Sequence, residues 1–245
     1  MEFVAVDDLR LPAAGGVWHT GVCYVSDRES RRAWHCATSD HPPYCCVEWN
    51  NTQPDTVICR YVSGQEHQIA YTRNLIELLG LELFLLWFDA LLLHASLVEW
   101  EGKGILFCAP SGTGKSTQAE LWKTHLGGRI LNGDRAGICC RGGVWEAWGL
   151  PYAGTSGIYC NRSVPVSAVV LLHQGPSNEI SPVLPPDAFK FILPQCNARW
   201  WDVDFMDRLT GQISALVEQV PVYRLDCKAD VEAVELLQGV LIKET

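Results

Sequence analysis

Apolar positions change period along this chain, and each change marks an element. Up to residue 72 they come in short runs rich in β-branched and aromatic side chains: Val17 to Val25 alternates loosely, while Tyr44 to Trp49 and Val57 to Val62 are compact. Turn residues separate them, at Gly15-Gly16, Asp40-His41-Pro42-Pro43, Asn50-Asn51 and Ser63-Gly64. This pattern predicts a β-rich module over residues 1–72. Between Leu75 and Leu93 the chain is long and rich in Leu, Phe and Trp, which predicts a helix over 72–93 with Thr72 as its N-cap. Glu77, Glu82 and Asp89 interrupt that stretch, and each would be costly at mid-bilayer, so it reads as a mostly buried helix rather than a membrane span.

From Leu97 the periods alternate between strand and helix, as in an α/β domain. A strand through Leu97-Val98, a hairpin turn at Glu101-Gly102-Lys103-Gly104 and a strand over Ile105 to Cys108 lead into a helix from Lys115 to about Leu126, stopped by Gly127-Gly128. A short strand, Arg129 to Asn132, ends at Gly133-Asp134-Arg135. A hairpin follows around Arg141-Gly142-Gly143, with arms Ile138 to Cys140 and Val144 to Trp148. Pro151 to Gly157 is a second glycine-bearing loop, readable either as part of a site or as a plain connection. Ser167 to His173 is nearly all apolar, as suits a strand buried on both faces. Gly175 to Asp187 reads as a loop, with a helix over 186–193. Pro194 to Asp204, carrying Arg199 and Trp200-Trp201, is irregular and is open to two readings, a substrate flap or an aromatic contact surface. Phe205, Leu209, Ile213, Leu216, Val217 and Val220 share one face of an amphipathic helix. A strand at Val222 to Leu225 and a helix at Val231 to Ile242 complete residues 73–245 as a second domain.

Composition narrows the function. The 245 residues are 48% hydrophobic and 19% charged, enough for one large domain with a smaller appendage. A net charge of −9 argues against a nucleic-acid partner, whose phosphates call for a basic surface. The start of the chain lacks the apolar core of a signal peptide. The 11 cysteines form no C-x-x-C pair, and Cys45-Cys46 and Cys139-Cys140 are adjacent, so buried or free thiols in a cytoplasmic protein are expected rather than a disulfide framework. His19, His35 and His41 accompany Cys36, Cys45 and Cys46, but the spacings match no compact zinc motif.

The most informative stretch is Gly104 to Thr117. An apolar strand becomes a glycine-bearing loop and ends in Gly-Lys-Ser before a helix, which is the layout of a phosphate-binding P-loop. Amides of Ser111, Gly112, Thr113 and Gly114 can cradle phosphate oxygens, and the helix N-terminus over Lys115, Ser116 and Thr117 adds a positive end. Lys115 supplies a point charge and the Ser116 hydroxyl can ligate Mg²⁺. Ala109 stands where the motif usually opens with glycine. Asp134, at a strand end one helix later, is placed to be the second Mg²⁺ ligand.

His94-Ala95-Ser96-Leu97-Val98, Gly104 through Thr117, Asn132-Gly133-Asp134-Arg135 and Pro221 to Cys227 together resemble the catalytic domain of HPr kinase/phosphorylase. They resemble more closely the smaller HPr-kinase-like serine kinases, including those encoded with lasso-peptide biosynthesis. The resemblance covers roughly residues 75–240. It implies a phosphoenolpyruvate carboxykinase-like P-loop domain with a mixed sheet, preceded here by the β-rich module. It also implies ATP and Mg²⁺ as cofactors, a homo-oligomer, and transfer of phosphate to a hydroxyl, as on a serine of a protein or ribosomal peptide. His94 matches a family histidine beside the transferred phosphate. The family has two adjacent aspartates where this chain has Gly133-Asp134, which leaves the base open between Asp134 and His94. An Arg-Gly-Leu-Gly element of HPr kinases is not evident, so HPr is not the expected substrate. A small-molecule kinase and a nucleotide-binding regulator without catalysis are the alternatives.

Overall fold

The structure is a computed structural model that describes residues 2–13, 15–19, 21–26, 30–38, 40–50, 56–70, 78, 80–151, 154 and 156–243. The chain is mixed α/β, with two sheets and five α-helices among the described residues. It divides into two compact units, Met1–Trp87 and Phe88–Thr245.

The first unit holds a six-stranded sheet of order β1-β6-β5-β4-β3-β2. Its strands are β1 (Glu2–Val6), β2 (Val17–His19), β3 (Val22–Ser26), β4 (Ser30–Cys36), β5 (Pro43–Asn50) and β6 (Val57–Val62). All neighbours are antiparallel except β1 and β6. The loose alternation from Val17 to Val25 resolves into a hairpin, turned near Gly21 in the left-handed region at φ 79°. Cys23, Trp34 and Cys46 stack across β3, β4 and β5 and are covered by Leu9, Leu11 and Val25. The thiols here act as small apolar groups. Burial pushes the Cys46 thiol up to about 12, and all 11 cysteines are free.

The expected helix over 72–93 is corrected at its C-terminal end. Among the described residues helix α1 spans Leu81–Trp87, and Ala90–Leu93 forms strand β7. Asp89, at φ 53°, turns the chain between them. All four residues of β7 are buried, and a strand buried on both faces gives the same unbroken apolar run as a buried helix, so periodicity could not separate them. Thr72, Leu75 and Glu77 lie outside the described residues. No helix among the described residues is long and apolar enough to cross a membrane.

The second unit is built on a nine-stranded mixed sheet of order β10-β8-β9-β13-β12-β11-β7, with β15 beside β13 and β14 beside β15. The strands are β8 (Ala95–Trp100), β9 (Lys103–Cys108), β10 (Arg129–Asn132), β11 (Ala136–Arg141), β12 (Val144–Gly149), β13 (Ser163–Gln174), β14 (Glu179–Pro182) and β15 (Val222–Cys227). Strand β13 joins two halves of the sheet. Its start pairs antiparallel with β12, and from Val166 onward it runs parallel to β9 and then to β15. The helices are α2 (Lys115–Leu126), α3 (Pro185–Ile192), α4 (Val203–Gln219) and α5 (Val231–Lys243). Phe107, Trp122, Val170, Leu225 and Leu237 belong to one buried cluster that fastens α2 and α5 to the parallel strands. Trp122 packs edge-on against Trp100 with ring centroids 5.4 Å apart. Helix α4 buries the expected stripe of Phe205, Leu209, Ile213 and Leu216.

Candidate functional site

Two turns at strand ends build the site. In the first, β9 runs out at Cys108, and the buried methyl of Ala109 joins the core beneath the loop. Gly112 at φ 81° and Gly114 at φ 112° take conformations that a side chain would strain, and α2 begins immediately after, at Lys115. The first helical hydrogen bond is from the Gln118 amide to the Gly114 carbonyl. The leading amides of α2 therefore have no intrahelical acceptor and carry the positive end of the helix dipole. Lys115 is only 6% exposed. Its Nζ donates to the carbonyls of Ala109 at 2.8 Å and Pro110 at 3.2 Å, so the ammonium lies across the loop. Burial holds its pKa below the ordinary lysine value, opposed by Cys108 and Asp134.

In the second turn, side chains set the geometry. Fully buried Asn132 ends β10, and its Oδ1 accepts from the amides of Asp134 and Arg135, both at 2.9 Å. Its Nδ2 donates to the Leu150 carbonyl, and buried Ser96 donates from Oγ to the Gly133 carbonyl at 2.8 Å. These bonds fix where Asp134 points. Its Oδ1 lies 3.4 Å from His94 Nε2, and its Oδ2 lies 3.5 Å from Arg135 Nε. The His94 hydrogen bond is the largest of the influences holding the Asp134 carboxyl below the usual carboxylate range, and the charges of Arg135 and Lys115 add to it. His94 occupies the single residue between β7 and β8, and its amide donates to the Gln195 carbonyl at 2.9 Å.

One cavity of about 370 Å³ gathers most of the expected residues: His94, Ser111, Gly112, Gly114, Lys115, Ser116, Thr117 and Asp134. Thr113 instead lines a neighbouring cavity, which also reaches Gly114 and Thr117. The first cavity joins amide donors, an ammonium, a hydroxyl, an imidazole and a carboxylate. That set suits a polyphosphate, and the Ser116 hydroxyl with the Asp134 carboxylate are hard oxygen donors of the kind Mg²⁺ takes alongside phosphates. Among the described residues no three His, Cys, Asp or Glu side chains converge as a metal cluster.

Several residues at the site were not singled out individually by the sequence. Ser156 lines the cavity beside Gly133, and a Cβ at position 133 would lie 2.2 Å from its Oγ. A Cβ at Gly154 would lie 2.8 Å from the Asp134 carboxyl carbon. The second glycine loop therefore reaches the site through Gly154 and Ser156, while Tyr152, Ala153 and Thr155 lie outside the described residues. The irregular 194–204 segment is tied in as well. Leu93 bridges to Cys196, Arg135 Nη1 donates to Asn197 Oδ1, and Asp202 caps α4 by accepting from the Phe205 amide at 3.0 Å. Arg199 is buried in this segment and Trp200 is exposed. Apart from the local Asp202 cap, these partners are distant in sequence, and only folding brings them together.

Residues 57–240 match the family described as SynChlorMet cassette protein ScmC. The chain belongs to the ScmC family. The match begins within the first unit and takes in the whole of the site described above, so the ScmC family is defined by more than the glycine-rich loop. No curated protein matches. Among solved structures, the chain is similar to the Hpr(Ser) kinase/phosphatase from Coxiella burnetii at 12% identity and a TM-score of 0.37, over 62% of this chain and 97% of that one.

Proposed function

We propose that this ScmC-family protein is an ATP- and Mg²⁺-dependent phosphotransferase. Its second unit would then be a carboxykinase-like P-loop domain, and its acceptor a hydroxyl, as on a serine of a protein or peptide. The reading rests on one observation: Lys115, Ser116, Asp134 and His94 line a single cavity at the N-terminus of α2. Phosphoryl transfer asks chiefly for positioning and for charge neutralisation, and these residues offer both. The 111–117 backbone holds the β- and γ-phosphates. Lys115 leaves its contacts with the Ala109 and Pro110 carbonyls to reach the terminal phosphate. Ser116 and Asp134 would hold Mg²⁺, which when bound offsets phosphate charge. His94 or Asp134, which lie 3.4 Å apart, would accept the proton of the incoming hydroxyl.

A second reading has its own observation. Ser156 occupies the space beside Gly133, so that position offers no carboxylate, and a nucleotide-binding regulator without turnover would have the same cavity. One experiment separates them. The protein is incubated with γ-labelled ATP, Mg²⁺ and the peptide products of genes neighbouring its own, since the family's description is of a cassette protein. Mass spectrometry showing a phosphorylated serine or other hydroxyl supports the transferase, whereas ATP binding with no transfer or hydrolysis supports the regulator.

A further inference from the structure

The second cavity, of about 310 Å³, shares Gly114 and Thr117 with the first and extends to Gln174, Cys227 and Lys228. We infer that it receives the nucleoside half of the triphosphate whose phosphates occupy the first cavity, an inference that rests on the nucleotide-dependent reading above.

The topology gives the first reason. Strands β9, β13 and β15 are mutually parallel, so their carboxyl ends open at one edge of the sheet. The glycine-rich loop follows β9, Gln174 ends β13, and Cys227 ends β15. Crevices at the carboxyl ends of parallel strands are where such sheets hold nucleotides. A ligand with phosphates on the loop amides has the shared Gly114 and Thr117 as its route into the second cavity.

The chemistry of the wall gives the second. Gln118, 2% exposed, donates from Nε2 to the Cys227 thiol and the Lys228 carbonyl, each at 3.3 Å. Its Oε1 has no hydrogen-bond partner among the described residues. A buried acceptor without a donor is costly; Gln118 lines the cavity, and a nucleobase amino group there is the kind of donor that would satisfy its Oε1 once the side chain turns to meet it. Gln174 Nε2 lies 3.4 Å from the carbonyls of Gly112 and Thr113, which ties this wall to the loop itself.

Cys227 makes the inference measurable, because Cys140 is exposed, lies outside both cavities, and serves as an internal reference. The test follows carbamidomethylation of both thiols by mass spectrometry in the full-length protein, free, with ATP, or with inorganic tripolyphosphate, and monitors thermal melting in parallel. At ATP concentrations about ten times its dissociation constant, Cys227 should react roughly tenfold more slowly while Cys140 is unchanged. Tripolyphosphate should raise the melting temperature and leave Cys227 as reactive as in the free protein. In a second arm, Ala229→Trp at the exposed rim should weaken ATP roughly tenfold and tripolyphosphate not at all. A melting shift with ATP but no protection of Cys227, equal protection by tripolyphosphate, or full ATP affinity in Ala229→Trp each overturns the nucleoside site and leaves the phosphate site standing. No melting shift with either ligand overturns the nucleotide reading itself, and this inference with it.

Discussion

The two turns at the site reach the same end by different means. The 109–114 loop is shaped by backbone freedom: Gly112 and Gly114 lie at positive φ, and a Cβ added to either would meet nothing within 4 Å. The 132–135 turn is shaped by side chains, with Asn132 accepting from two amides and Ser96 holding the Gly133 carbonyl. A turn made from glycine strain is written locally and can be read as a motif. A turn made from buried hydrogen bonds depends on residues up to 37 positions away and leaves little trace in the local sequence. Their tolerance of substitution should differ accordingly.

The largest expected effect is on chemistry. Asp134→Asn removes the carboxylate that joins His94, Arg135 and the cavity, and transfer should fall roughly 10²–10⁴-fold with little change in melting temperature. Labelled-phosphate transfer and thermal melting, measured together, check both halves of that statement. Asn132→Leu should act through the fold instead. It leaves the part-buried amides of Asp134 and Arg135 without their acceptor, and should cost about 1–3 kcal/mol in urea unfolding. Gly114→Ala should cost about 1–2 kcal/mol, all of it backbone strain, because space for the methyl is present. Equal losses in denaturation midpoint for a space-free and a space-filled glycine would break the distinction between the turns. Gly133→Ala supplies the second case, since its Cβ would clash with Ser156.

The smallest effect is on pH dependence. The folded Asp134 carboxyl titrates below its ordinary value, so its stabilising contribution is complete above the ordinary carboxylate range and is lost as pH falls toward the lowered folded value. His94→Asn removes the largest cause of that shift and should move the Asp134 titration upward, as followed by carboxyl-carbon NMR. An unmoved titration would mean that Arg135 and Lys115, rather than His94, hold the carboxylate.

The same contrast explains which parts of the protein were legible in its sequence. Helix α2 begins and ends where the glycines said it would, because Gly114 and Gly127 both adopt the left-handed conformation that bounds it. The α4 stripe was equally plain, since a long amphipathic period has no strand counterpart. Strands β1 and β4 went unread. In β4 the polar start Ser30-Arg31-Arg32 hides a strand whose later residues are buried, and Arg32 is held by an ion pair with Glu48 across the sheet. At the site, Asp134 and His94 could be named in advance, but not the 3.4 Å that separates them, nor Ser156, Gly154 and Asn197. Those contacts arise from loops that return from far along the chain, and no local period encodes them.

If the cavity at the N-terminus of α2 transfers phosphate, Lys115 is the residue on which transfer depends. Native protein and Lys115→Ala, matched in melting temperature, are compared for transfer of label from γ-labelled ATP in Mg²⁺ to one defined acceptor. Robust labelling by the native protein and a loss of at least about 10²-fold in the variant are expected. Unchanged turnover in Lys115→Ala would contradict that dependence.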